Sequence, residues 1–322
     1  MKLSIITVCT NEWHVLQKCL ESVYGQTDDL DFEYIVVDNA STDGSPDRIR
    51  EMFPRVKLIL NPHNMGFAAS NNRGISVAEG DYILLLNPDT ELRDRAISKT
   101  VRFMDAHPDA GIVGCKLVLS DGTVQESLRG FPSVWNVFTE TSFLYRLFPK
   151  TKLFGSYHMT HFDYESSREV DWLCGAFLMM RKAVREEIGL LDEQFYMYTE
   201  EVDYCYRARQ AGYRTWYFHE AVVLHYWGGI SSVNQRVVLW MHGSKLLYLK
   251  KHFRGAERAV LVGLQYAAML VRTLVYFLLG CLSFNPKLLK KSRFYAVAVA
   301  KLLTQRWEYV HGHTGPVQPW RV

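Results

Sequence analysis

Tyr34-Ile35-Val36-Val37-Asp38-Asn39-Ala40-Ser41-Thr42-Asp43-Gly44-Ser45 runs from an apolar stretch into a dense set of short polar residues. The apolar part predicts a buried strand, and Ser41-Thr42-Asp43 reads as a cap-like cluster before a helix whose inner face carries Ile49 and Met52. The same strand, turn and helix order recurs on both sides of this stretch. Residues 3–9 form a short apolar run, followed by Val15, Leu16, Cys19, Leu20 and Val23 at helical spacing. Residues 56–60 read as a strand, 67–77 as a helix, 82–86 as a strand apolar on both faces, 96–106 as a helix and 112–119 as a strand. Strands alternating with helices predict an α/β fold with a mostly parallel sheet flanked by helices.

Beyond the Asp121-Gly122 turn, residues 128–168 are rich in aromatics and lack periodicity, which predicts an excursion or mobile loop. Regularity returns with a strand at 172–180, helices at 182–188 and 199–211, and strands at 214–218 and 222–226. Helices dominate after residue 235.

The 322 residues are 48% hydrophobic and 22% charged, as in a folded globular protein, with no low-complexity tract or short repeat. A net charge of +3 argues against a dedicated nucleic-acid binder, yet this average hides an asymmetry. Residues 1–235 carry 23 Lys and Arg against 32 Asp and Glu, a net of −9, whereas residues 236–322 carry 14 against 2, a net of +12. The expected organisation is therefore a body over 1–235 and a basic helical extension over 236–322.

The extension calls for an acidic partner, nucleic acid or anionic lipid. Nucleic acid would explain its charge but not the apolar stretch at 259–284, so an anionic membrane surface is expected instead. Arg258, Gln265 and Arg272 recur every seven residues and trace one polar stripe. This favours a helix lying in the membrane interface or packed on the body over one that spans. In the next helix Lys287, Lys290, Lys291 and Lys301 share a face opposite Leu288, Leu289, Tyr295, Val299, Leu302 and Leu303. Six cysteines without C-x-x-C or zinc-like spacing are expected as buried thiols in a reducing compartment. With no secretion signal at the start, the expected location is cytoplasmic, and Asn39-Ala40-Ser41 is not read as a glycosylation site.

Ligands of open α/β sheets bind beyond the carboxyl ends of the strands. The first strand leads into Thr10-Asn11-Glu12 rather than a glycine-rich dinucleotide turn, and no P-loop is present. Asp38 ends the second strand ahead of side chains suited to a base or ribose, although a plain turn explains Ser41, Thr42 and Gly44 equally well. Asn87-Pro88-Asp89 closes the most apolar strand, where a carboxylate can hold a divalent cation completed by phosphates; its position, more than its composition, favours this over a simple turn. Glu200, Glu201 and Asp203 set three carboxylates within four residues. Asp203 and Arg207 are spaced to pair, Glu200 shares their face, and Glu201 is turned away and freer to act as a base. His225 follows an apolar run and precedes Trp227-Gly228-Gly229, and is a candidate metal ligand.

In this order the motifs resemble the inverting family 2 glycosyltransferases of the GT-A fold, a Rossmann-like sheet, over residues 3–232. The resemblance rests on Ile6-Thr7-Val8-Cys9-Thr10-Asn11, Val36 to Ser45, Asn64-Met65-Gly66-Phe67-Ala68, Leu86-Asn87-Pro88-Asp89, Gly175-Ala176, Asp192-Glu193-Gln194-Phe195, Glu200-Glu201-Val202-Asp203 and His225. Within the family the chain is most similar to the rhamnosyltransferase-like group that builds lipid-linked polysaccharide. The resemblance implies that a nucleotide-sugar donor is held by Thr10, Asn11, Glu12, Asp38, Asn39, Ser41, Asn64, Gly66, Asn72, Asn87, Gly175 and Ala176. It further implies Mg²⁺ or Mn²⁺ on Asp89, with His225, and Glu201 as the base beside Glu200 and Asp203. Asn87 replaces the first acid of the D-x-D motif, and Glu201 stands where Asp is common. The implied acceptor is a lipid-linked saccharide met at the inner face of the cell membrane, with dTDP-rhamnose as one donor. A UDP-hexose donor with another acceptor, or an inactive nucleotide-sugar scaffold, fits the same residues; the scaffold has only neutral Asn87 in its favour.

Overall fold

The computed structural model describes residues 1–226 and 234–304. The predicted alternation appears as β1 (Leu3–Cys9), α1 (Trp13–Gln26), β2 (Phe32–Asp38), α2 (Ser45–Met52), β3 (Lys57–Leu60), α3 (Phe67–Val77) and β4 (Tyr82–Leu86). Along β1, β2 and β4 successive side chains point to opposite faces of the sheet, and both faces are covered. Leu3, Ile5, Tyr34, Val36, Leu84 and Leu86 pack on one side against Leu16, Leu20 and Val23 of α1. Ile6, Ile35, Val37, Ile83 and Leu85 pack on the other, against Ala68 and Ile75 of α3. This is why these strands are apolar throughout instead of alternating. Truncating one such side chain, Leu84→Ala for example, costs about 2–5 kcal/mol.

The chain continues through β5 (Thr90–Arg93), α4 (Ala96–Ala106), β6 (Ala110–Val118), β7 (Leu128–Arg129), α5 (Val134–Thr141), α6 (Leu144–Leu147), α7 (Lys152–Gly155), β8 (Arg168–Val170), β9 (Trp172–Leu173) and β10 (Phe177–Arg181). Then come α8 (Lys182–Ile188), α9 (Glu200–Gln210), β11 (Arg214–His225), α10 (Gln235–His252), α11 (Gly255–Leu282) and α12 (Pro286–Thr304). The main sheet has the order β3-β2-β1-β4-β10-β6-β11-β5, with β8 added on β11. Strands β1 to β4 are parallel as expected, whereas β10 enters antiparallel to both β4 and β6, so the sheet as a whole is mixed.

Several readings of the second half change. Residues 128–168 are not a bare loop: they contain the three short helices α5 to α7. Residues 172–180 are two strands, because β9 pairs with β7 in a separate two-stranded sheet and the chain then crosses into the main one. Residues 214–225 form one long strand with an irregularity between Phe218 and Val222. Strand β5, unforeseen, pairs antiparallel with β11 and sets Thr90 opposite His225. Of the six thiols, Cys9, Cys19, Cys115 and Cys205 are buried as expected, but Cys174 is partly exposed and Cys281 exposed. Helix α10 shares a core with α5 and α9 through Val137, Val202, Leu247, Tyr248 and Leu261 of α11.

Candidate active site

The turns after β1 and β2 are tied together side by side. Asn11 Oδ1 accepts from the Thr42 backbone N–H at 2.6 Å, and Ser41 Oγ accepts from that of Asn11 at 2.9 Å. Asp38 is buried and accepts from the Ser41 N–H at 3.0 Å, while Asp43 accepts from the first N–H of α1, at Trp13, at 3.2 Å. Glu12 lies at this junction. Burial, then the charge of Asp89, pushes its carboxyl up to about 7.

Other expected donor contacts turn into the scaffold. Asn39 Oδ1 accepts from Asn61, Ser70 and the Met65 backbone, and its amide donates to Asn64 Oδ1 at 2.8 Å. Asn64 Oδ1 also accepts from the Gly66 N–H and the Tyr196 hydroxyl. Gly66 has φ +83°, and a Cβ there would lie 2.4 Å from the Tyr196 carbonyl oxygen, so only glycine fits. Asn72 is taken up by the neighbouring loop: its amide donates to the Leu191 carbonyl and Glu193 at 2.9 Å, and its oxygen accepts from the Leu191 N–H at 3.0 Å. The polar side-chain atoms of Asn39, Asn64 and Asn72 are thus engaged within the fold.

Asp89 and His225 meet because β5 pairs with β11. The Tyr226 N–H donates to the Asp89 carbonyl at 2.8 Å, and His225 Nε2 lies 3.3 Å from the Asp89 carboxylate. On its other side, His225 Nδ1 is 2.7 Å from the side-chain oxygen of Gln125. A glutamine oxygen can only accept, so Nδ1 carries the proton and Nε2 faces Asp89, the tautomer and orientation of a metal-ligating histidine. The side chains present fit a divalent cation as an open site of one carboxylate and one imidazole, completed by oxygens of a diphosphate and water. Among the described residues no group of three or more His, Cys, Asp or Glu side chains encloses a metal by itself. Trp227-Gly228-Gly229 lies outside the described residues.

Gly175 and Ala176 join this corner to the acidic helix. The Asn87 N–H donates to the Ala176 carbonyl at 3.0 Å, and a Cβ on Gly175 would lie 3.9 Å from that of Glu201. Helix α9 begins after two successive non-glycine residues with left-handed backbone, Tyr198 (φ 68°) and Thr199 (φ 74°). Such strain is characteristic of functional turns. One oxygen each of Glu200 and Glu201 is buried without a hydrogen-bond partner. Burial pushes the Glu201 carboxyl up to about 7, and burial with the adjacent Glu201 charge raises Glu200 well above the ordinary carboxylate range. Asp203 differs. Arg207 Nε donates to it at 2.8 Å, Lys251 Nζ at 2.7 Å, and His252 Nε2 lies 2.7 Å away. Burial would raise Asp203, but the bonds to His252 and Lys251 and the charge of Arg207 hold it at about 2. With all three partners in place it is a positioning group for α9, and the expected pairing with Arg207 is present.

A family model described as glycosyl transferase family 2 matches residues 4–171, just over half of the chain. The chain belongs to the family 2 glycosyltransferases. Among curated relatives, the N-acetylglucosaminyl-diphospho-decaprenol L-rhamnosyltransferase of Mycobacterium tuberculosis is 29% identical over 203 residues, covering 60% of this chain and 66% of the relative. The chain thus spans just under two thirds of that relative's length. Among solved structures, the mannosyltransferase PcManGT of Pyrobaculum calidifontis in complex with GDP-Man and Mn²⁺ superposes with TM-score 0.57 at 16% identity, covering 94% of this chain and 87% of that one. S. aureus TarS 1–349 gives TM-score 0.54 at 15% identity, over 97% and 83%. Both structures share the GT-A fold with the family member described here. Neither Gln125, which orients His225, nor Asn61 and Tyr196, which hold the Asn39 and Asn64 network, was foreseen. Their contacts are long-range, and no local motif marks them.

Proposed function

We propose that the protein transfers a sugar, with inversion, from a nucleotide sugar to a lipid-linked saccharide during cell-surface polysaccharide synthesis. The observation that carries this is the unpartnered Glu201 oxygen, set next to Gly175 on the same short link that fixes Asn87 and Asp89. The loops after β1 and β2 would seat the nucleotide, with Asp38 and Ser41 at its base or ribose and Thr10, Asn11 and Glu12 alongside. Asp89 and His225 would hold Mg²⁺ or Mn²⁺, which when bound neutralises the diphosphate and so eases its departure. Asn87 is neutral, so Asp89 carries most of the protein's charge toward that cation.

Glu201 would accept the proton of the attacking acceptor hydroxyl as the new glycosidic bond forms on the face opposite the leaving nucleotide. General-base assistance of this kind contributes typically about 10² to 10⁴ in rate. Asp203 holds α9 through Arg207, Lys251 and His252, and burial keeps Glu201 protonated to a higher pH than an exposed carboxylate. The aromatic segment would form the acceptor side; it holds a cavity of about 460 Å³ lined by Glu126, Tyr145, Arg146, Pro149, His158 and Thr160. Its first residue directly follows Gln125, the partner of His225.

The mycobacterial relative, named for rhamnosyl transfer to a decaprenyl-linked sugar, makes dTDP-rhamnose the first donor to test and a polyprenyl-diphosphate saccharide the first acceptor. Such an acceptor lies in a membrane, so the enzyme would work at the inner face of the cell membrane. The test is nucleotide release from a panel of nucleotide sugars with Mn²⁺ and with EDTA. Release confined to one donor and to the Mn²⁺ arm supports the reading, and no release from any donor with a lipid-linked acceptor present refutes it. Asp89→Ala is expected to abolish the metal-dependent part of donor affinity in calorimetry. Equal affinity with and without Mn²⁺ in the unaltered protein would remove Asp89 from this role.

A further inference from the structure

Helix α11 carries its polar and apolar residues the opposite way round from a soluble surface helix. Gln265 and Arg272, in its middle, face the protein. Gln265 is buried and lies 2.6 Å from His242 Nδ1 on α10, and burial, then the charges of Lys245 and Arg272, pushes that imidazole down to about 3, so the ring is neutral. Arg272 donates to Glu140 of α5 at 3.5 Å, and Lys245 of α10 donates to the same carboxylate at 2.6 Å. Burial would raise Glu140, but Lys245 and Arg272 hold it down at about 2. The charge that would otherwise forbid contact with lipid is thus neutralised inside the fold.

The outward face is correspondingly bare of charge. From Val260 to Leu282 every exposed residue is apolar, glycine or cysteine. Leu270, Val271, Leu274, Phe277 and Leu278 follow one another at helical spacing, and Phe284 in the turn to α12 is 91% exposed. An apolar strip of this length on a helix of 28 residues, roughly 42 Å long, exceeds what water-facing surfaces carry singly. At one end it is bordered by exposed Lys287, Lys290 and Arg293 of α12. Cations beside an apolar face match the headgroup and acyl layers of an anionic leaflet. The helix does not suit a perpendicular span: α5 and α10 pack along its first half, and would have to enter the hydrocarbon with it.

We propose that α11 lies lengthwise in one leaflet of a bilayer, with Leu270, Leu274, Phe277 and Leu278 among the acyl chains and the α12 cations at the headgroups. Insertion of apolar surface, more than charge, carries the attachment. The inference deepens the membrane part of the proposed function and rests on it. Of the two placements expected from sequence, the membrane interface and the body, the stripe of Gln265 and Arg272 serves packing on the body, and the opposite face is left for the interface.

Co-sedimentation of the full chain with phosphatidylcholine vesicles, and with the same vesicles containing phosphatidylglycerol, tests it. Binding to the neutral vesicles is expected, and it should persist in about 1 M NaCl, where surface charges are screened within about 3 Å. Leu274→Glu and Phe277→Glu should each weaken it by roughly tenfold or more. The indole of Leu274→Trp, a milder change, should be quenched by lipids brominated on the acyl chain. Binding only to anionic vesicles and lost in salt would overturn the proposal, as would indole fluorescence left unquenched in the Leu274→Trp variant. So would a stable dimer in lipid-free solution that the Glu variants dissociate, which would make a second copy the occupant. Protease access to α12 from both sides of a sealed vesicle would show a span and overturn it as well. Nucleotide release by the same variants on a donor alone separates this failure from that of the transfer reaction.

Discussion

Gln125 illustrates what a single residue adds that no motif announces. It is buried, a hundred positions away from His225, and its oxygen fixes the imidazole so that the other nitrogen faces Asp89. Gln125→Leu keeps the volume but frees the ring, and divalent-metal affinity is expected to fall about 10- to 100-fold, read by Mn²⁺ titration calorimetry. Glu201 makes a second prediction at this scale. A base works deprotonated, and this carboxyl sits at about 7, so turnover should fall as the pH drops below about 7 and level off above it. A pH-rate profile flat down to the ordinary range of glutamate, about 4.3, would show that Glu201 is not the titrating base. His225, Asp89 and Glu201 were all legible as chemistry-bearing types at the ends of elements. Which of them face each other was not, because that depends on pairings between distant strands.

At the scale of elements, the parallel half was readable because β1, β2 and β4 are apolar on both faces and punctuated by polar turns. Strand β5 was not, since its four residues alternate inward Thr90 and Leu92 with outward Glu91 and Arg93 over too short a stretch, with one apolar side chain, to stand out from a turn. Its pairing with β11 is nevertheless what brings Asp89 to His225. Helix α9 was legible as acidic, and the Asp203 to Arg207 spacing was read correctly. Its attachment to Lys251 and His252 at the end of α10 was hidden by the sequence distance. Asp203→Asn leaves Arg207 and His252 without their carboxylate, while Lys251 keeps Asp192 at 2.6 Å, and is expected to cost about 3 kcal/mol, measured by denaturant unfolding. Because the folded Asp203 is held at about 2, below its unfolded value near 3.9, this stabilisation is full above about pH 4. It is lost as the pH falls through about 2, a loss that the Asn variant should not show.

The whole molecule divides its charge and its surfaces by task. The acidic body gathers Glu12, Asp38, Asp89 and Glu201 around the carboxyl ends of the parallel strands, where a divalent cation would offset both these carboxylates and the diphosphate of a donor. Within the described residues of the basic extension, α10 locks the acidic helix in place, and α11 turns its polar stripe inward onto α5 and α10, leaving an apolar face outside. Asp89 and Glu201, joined by the Asn87 to Ala176 hydrogen bond and Gly175, would serve one displacement in separate roles. The most direct measurement is single-turnover sugar transfer by Glu201→Gln, with donor affinity determined on the same sample. Donor binding within about twofold of the unaltered protein and a rate lower by about 10² to 10⁴ is the predicted result. Near-normal transfer by that variant would contradict the account and move the base away from Glu201.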